Sequence, residues 1–179
     1  MLTLRCLSCR LCSARCAACW TLSNITAGNH AQIAQCIDSG CMAVIMEILL
    51  DDSTPHDVKQ EAAWCINNAI AGGSVDQIVG LVHGGVFSVL SVILGMPSDA
   101  VVRGGVEALT RLLNVGTEQP PTDDGSADRN PFVSPARAAC MPVLQSLRRD
   151  GGNDVYDLST LAPFFPEAGF AREDDTDSD

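Results

Sequence analysis

The sequence predicts an all-α fold made of stacked, similar three-helix units, and three observations predict it. Ala18-Cys19-Trp20-Thr21-Leu22-Ser23-Asn24 recurs as Ala62-Ala63-Trp64-Cys65-Ile66-Asn67-Asn68 at an offset of 44, and Val101 to Gly116 overlays Val58 to Gly73 at 43. Within each copy the apolar residues return at helical spacing in three segments broken by Gly, Asp or Pro. At 179 residues the chain has room for one domain or a short stack of repeats, and not for a large multidomain enzyme.

The elements follow in order. Residues 1–13, which hold Arg5 and Arg10 and no acid, read as a divergent or truncated amino-terminal segment. Residues 14–116 contain the third helix of one repeat, then one full repeat and most of another. In the full copy a short helix (about Ala31–Asp38) meets a Gly break, a second apolar helix (about Met42–Leu50) follows, and a longer third helix (about Asp57–Ala71) stops at Gly72-Gly73. Gln32-Ile33, Gly40 and Ile48-Leu49-Leu50 return as Gln77-Ile78, Gly85 and Val92-Ile93-Leu94. Three helices per about 43 residues is the armadillo period, so the fold class is an armadillo-repeat right-handed solenoid, an α-α superhelix, present in part. Residues 117–136 read as a Pro-, Gly- and Asp-rich linker, 137–165 as a final helical pair split at Asp150-Gly151-Gly152, and 166–179 as an acidic tail.

Projection at 100° per residue gives the third helices two chemically different faces. Val58, Ala62, Ile66 and Ala69 share one face with Ala14, Ala18, Leu22 and Ile25 of the first copy and Val101, Gly105, Leu109 and Leu112 of the third, which makes a buried seam. With Ala62 at zero, Trp64 lies near 200°, Asn68 near 240° and Glu61 near 260°, on the open side. Helices stack about 8–10 Å apart, so Trp20 and Trp64 would flank a slot that admits one extended aliphatic chain. A Lys or Arg stem suits such a slot, with its cation over the rings. Asn24 and Asn68 offer amides to a peptide main chain, Glu61 a carboxylate for a guanidinium, and Ser23 a hydroxyl.

These strings resemble the importin-α family of nuclear-import adaptors. ACWTLSNITAG (Ala18–Gly28) and EAAWCINNAIAGGSVDQI (Glu61–Ile78) look like its third helices, and LQSLRRDGGNDVYDLSTLAPFF (Leu144–Phe165) looks like its last repeat. The resemblance implies that the chain corresponds to roughly the seventh through tenth repeats and that its Trp–Asn ladder is the family's minor site for basic nuclear-localisation signals. By that resemblance Trp20 and Trp64 stack on Lys or Arg stems, Asn24 and Asn68 bind the peptide backbone, and Glu61 with Ser23 meets the key basic side chain. It also implies a shuttling protein of nucleus and cytoplasm, with an alternative role in which the last repeat docks an exportin with GTP-bound Ran or other armadillo proteins. The family's importin-β-binding segment and earlier repeats find no match here, so importin-β is not an expected partner. In the third copy Glu107 and Arg111 stand where Trp and Asn would, so the ladder is expected to end after two rungs.

Eleven basic against twenty-two acidic side chains, a formal charge of −11, argue against nucleic acid as a ligand and for a basic partner. No apolar run reaches the ~18 residues of a membrane-spanning helix, so no membrane partner is expected. Cys6, Cys9, Cys12 and Cys16 have the spacing of an iron–sulfur run, but Ala17 follows where Pro usually stands, and Cys16 shares a helix with Trp20. No metal or cofactor is therefore expected. The histidines are scattered and no P-loop, GxSxG or HExxH string occurs, so no catalytic residues and no enzyme are expected.

Overall fold

The computed structural model describes residues 6–7, 12–121, 129–151 and 155–171. Eight α-helices run through the described residues: α1 (Cys12–Thr26), α2 (His30–Asp38), α3 (Cys41–Leu50), α4 (His56–Gly72), α5 (Val75–His83), α6 (Val86–Leu94), α7 (Asp99–Thr117) and α8 (Val133–Arg149). Two 3-10 turns, Leu158–Leu161 and Pro166–Ala168, close the chain. Strands are absent from the described residues.

Recurring residues set the helix starts. Asn29 and Ser74 cap α2 and α5 in capping boxes with Gln32 and Gln77, each Gln N–H donating to the cap side chain and each Gln Oε1 accepting from the cap N–H. The repeat-to-repeat tie comes from the same glutamine, because Gln77 Nε2 donates to the His30 carbonyl at 2.7 Å. Gly40 (φ 78°) and Gly85 (φ 88°) occupy the left-handed region that a side chain resists, and the chain turns there by 73° between α2 and α3 and by 88° between α5 and α6.

The third helices α1, α4 and α7 stack side by side, and the second helices α3, α6 and α8 form a layer behind them. The seam lies between. Val58, Ala62, Ile66, Ala69, Val101, Leu109 and Leu112 are fully buried, and Ala18 and Leu22 nearly so. Gly105 is there for closeness: a Cβ would stand 3.0 Å from Ile93 and 3.4 Å from Leu94, so its absence lets α7 settle on α6. The fold is an all-α armadillo solenoid.

The carboxy-terminal part departs from expectation in three ways. Helix α8 starts at Val133, inside the expected linker, and the entry to it is anchored: Asn130 donates to the Leu113 carbonyl (2.7 Å) and accepts from Phe132 N–H (2.9 Å), while Phe132 meets the Phe87 ring edge-on. Pro135 sits in the first turn of α8, where no N–H is required. Pro142 does not break α8, which runs through it; Ala138, whose carbonyl Pro142 cannot serve, is exposed to water. Where the second member of the helical pair was expected, the described residues have Val155 and Tyr156 in helix and then short 3-10 turns, with Asp157 in the left-handed region (φ 52°) and Pro163 and Pro166 limiting continuation. The acidic tail begins later than 166, since Ala168 and Phe170 are buried and Glu167 pairs with Arg137 at 3.4 Å. The acidic residues beyond 171, and Cys9 of the cysteine run, lie outside the described residues, as do the start of the chain and the middle of the linker.

Candidate functional site

Helices α1 and α4 carry the two Trp–Asn pairs on the face opposite the seam, and their stacking is the most extensive between helices among the described residues. Trp20 is 60% exposed, whereas Trp64 is half-buried and rests against the core. The difference follows from position in the stack: α4 has a neighbour on both sides, and Trp64 also borders the cavity toward α7.

The asparagines are tied down differently. Asn24 Nδ2 donates to the Trp20 carbonyl one turn back at 2.8 Å, within its own helix. Asn68 Nδ2 crosses to α1 and donates to the Ser23 carbonyl at 3.0 Å. An amide has two N–H groups and one oxygen, so each bond uses one donor of the three groups a peptide could meet. Glu61, one turn before Trp64, is half-buried and faces α1 closely enough that its charge bears on the Cys19 thiol. A carboxylate on α4 therefore lies on the side that faces α1.

Ser23 is turned away from this arrangement. It is buried, and its hydroxyl donates to the Trp20 carbonyl at 2.8 Å, so the expectation that it offers a hydroxyl to a ligand is corrected: it contributes its main-chain carbonyl, which holds Asn68. Cyclic back-bonding of this kind is the usual behaviour of Ser inside a helix.

The position taken by Arg111 shows what replaces a rung. Its Nε donates to the Ile70 carbonyl at 2.8 Å and its Nη2 to the Gly73 carbonyl at 2.9 Å, which satisfies the carboxy-terminal end of α4 with a cation. Asn68 and Arg111 thus do the same mechanical task, each reaching back to the preceding third helix. Sequence reading saw in Arg111 only the end of the ladder. Its register with Asn68 was the available signal.

The walls beyond Trp64 form two cavities. One of 210 Å³ lies between α4 and α7 and is lined by Trp64, Asn67, Asn68, Gly104, Glu107 and Arg111 among others. A larger one of 680 Å³ lies between α7 and the first 3-10 turn, and Glu107 and Arg111 line both.

Cys19, Cys36, Cys41 and Cys65 are buried packing residues, and Cys16 is half-buried. Cys65 donates its thiol to the Cys19 carbonyl at 3.2 Å. Burial pushes the Cys19 thiol up to about 12, with Cys16 raising and Arg15 lowering it, and burial also raises the Cys65 thiol well above its ordinary value. A thiol held in that state is protonated at neutral pH and a poor metal ligand. Among the described residues no group of three or more His, Cys, Asp or Glu side chains is arranged to hold a metal ion.

No family model matches the sequence. The chain is 30% identical over 141 residues to importin subunit alpha-5 of Arabidopsis thaliana, a match covering 78% of this chain and 26% of that one. It is 40% identical over 99 residues to importin subunit alpha-4 of the same plant, covering 55% of this chain and 18% of that one. It spans about a quarter or less of the length of these relatives. Among solved structures, a designed armadillo repeat protein superposes with a TM-score of 0.56 at 22% identity, covering 94% of this chain and 79% of that one. Another, a designed armadillo repeat protein in complex with the peptide (KR)4, gives 0.55 at 24% identity, covering 94% and 78%.

Proposed function

Because this chain is importin-α-like armadillo material, we propose that it is a nuclear-import adaptor segment that binds an extended Lys/Arg-rich localisation-signal peptide along α1 and α4. The observation that carries the reading is Trp20: a tryptophan left 60% exposed on a rigid helix, in register with Trp64 and its following Asn. An indole so exposed has no packing use for most of its surface, and its face attracts a cation with a hydrocarbon stem.

In this reading the Lys or Arg stem lies between the Trp20 and Trp64 positions, and Glu61 receives the cationic head. Asn24 and Asn68 use their remaining amide groups to hold the peptide main chain. The bond from Asn68 to Ser23 keeps α1 and α4 at fixed spacing, so the slot is formed before the peptide arrives and less ordering entropy is lost. The net charge of −11 attracts such a ligand at long range. The role is one of binding, and its setting is shuttling between cytoplasm and nucleus.

Calorimetric titration with a basic signal peptide, its Lys-to-Ala control, and the parent and Trp20→Ala chains tests the proposal. Binding by the parent that is lost with the control peptide and reduced in the variant supports it. Equal binding of both peptides overturns it. The competing role, docking of an exportin with GTP-bound Ran through the last segment, predicts capture of that partner unchanged by Trp20→Ala.

A further inference from the structure

We infer that the groove has a further seat, between α4 and α7, that takes one additional Lys or Arg side chain of the same peptide; this rests on the peptide-groove reading above. The seat is the 210 Å³ cavity beside Trp64. Three of its features point to a cation with a hydrocarbon stem.

The first is an acceptor without a donor. Asn67 is 4% exposed and lines this cavity, and its Nδ2 donates to the Val101 carbonyl at 3.1 Å. Its Oδ1 is buried with no hydrogen-bond partner. Exchanging the amide's two ends would set oxygen against the Val101 carbonyl, so the lone group is the oxygen. A buried acceptor left so is costly, and a small shift of the Asn67 side chain that presents the oxygen to an N–H donor in the cavity removes that cost.

Charge is the second feature. Glu107 occupies, on α7, the register of Trp64 on α4, and its exposed carboxylate forms the opposite wall. Arg111 also lines the cavity, but its guanidinium is directed into the Ile70 and Gly73 carbonyls, where the negative end of α4 offsets it. The third feature is the Trp64 ring, which supplies the apolar wall for methylenes. Gly104 keeps the floor open, since a Cβ there would come within 2.7 Å of Asn67 Nδ2.

A peptide that fills this seat has somewhere to go. The 680 Å³ cavity shares Glu107 and Arg111 with it, and Glu118 and Asp157 line its far part. The first 3-10 turn bounds that space; Tyr156 Oη donating to Asp99 at 2.7 Å and Thr110 Oγ1 bonded to Thr160 Oγ1 at 3.0 Å hold the segment across it without filling it.

The test uses a basic signal peptide lengthened by one residue, at either end in turn, with that residue Lys or its uncharged isostere norleucine. Affinities for the parent, Glu107→Gln and Trp20→Ala chains are measured by fluorescence anisotropy of the labelled peptides. At one end the parent is expected to prefer Lys by about two- to fivefold, the scale of an exposed ion pair. Glu107→Gln should abolish that preference, and Trp20→Ala should weaken every peptide while leaving the preference intact. Equal affinity for Lys and norleucine at both ends overturns the seat while leaving the groove standing, and so does a preference that survives Glu107→Gln. Failure of the unextended peptide to bind the parent removes the groove, and the seat with it.

Discussion

Truncating Trp20 to Ala separates a binding role from a packing role, because this indole is the more exposed of the pair. A tryptophan presents roughly 250 Å² to solvent when free, so at 60% exposure roughly 150 Å² remains open to a ligand. One aliphatic stem covers about one ring face, near half of that area, and at about 25 cal/mol per Å² the contact contributes roughly 2 kcal/mol. Trp20→Ala should therefore weaken a Lys/Arg-rich peptide by about thirtyfold. The buried remainder lies against the turns of its own helix and its neighbour, so the melting temperature should move by only a few degrees. Titration calorimetry at fixed ionic strength reads the first quantity and circular-dichroism melting the second. An affinity within twofold of the parent refutes the reasoning, since a ring this exposed would then contribute nothing to the ligand.

Other outcomes follow from bonds already described. Arg111→Ala removes two charge-assisted bonds to the end of α4 and should lower unfolding stability in urea by about 2 kcal/mol, with Arg111→Lys recovering less than half because a point charge cannot reach both carbonyls. Asn130→Ala removes the bond to the Leu113 carbonyl and leaves the buried Phe132 N–H without its acceptor at the entry to α8, and should cost about 2 kcal/mol, seen as faster amide exchange in α8 than in α4; uniform exchange would count against it. The thiols give a pH signature. Cys19 and Cys140 are held near 12 by burial against an ordinary 9.0, so between those values the unfolded chain releases protons that the folded chain keeps. The thiols' contribution to stability is then constant below pH 9 and is lost as pH rises above it, and thiol reagents at neutral pH should leave Cys19, Cys65 and Cys140 unmodified until unfolding.

Much of this protein could be read from its sequence because a helix fixes direction by position alone. Spacing of 100° per residue was enough to put Val58, Ala62, Ile66 and Ala69 inside and Trp20 outside, and the recurrence of Gln32 and Gly40 as Gln77 and Gly85 marked the repeat and its Gly breaks, where the structure places capping boxes and left-handed turns. Depth and partner choice are set by neighbouring helices, which periodicity does not contain. Hence Trp64 is half-buried although it shares the register of Trp20, Ser23 spends its hydroxyl on its own helix, and Arg111 caps α4. At the carboxy-terminal end the same limit acts more strongly. Pro142 stays helical where Ala138, the residue whose carbonyl it forsakes, is exposed, and residues 158–168 form 3-10 turns because Asp157, Pro163 and Pro166 leave too few residues between them for a stable α-helix. Backbone direction was local and therefore written in the chain; burial and bonding depended on which surfaces the stack brought together.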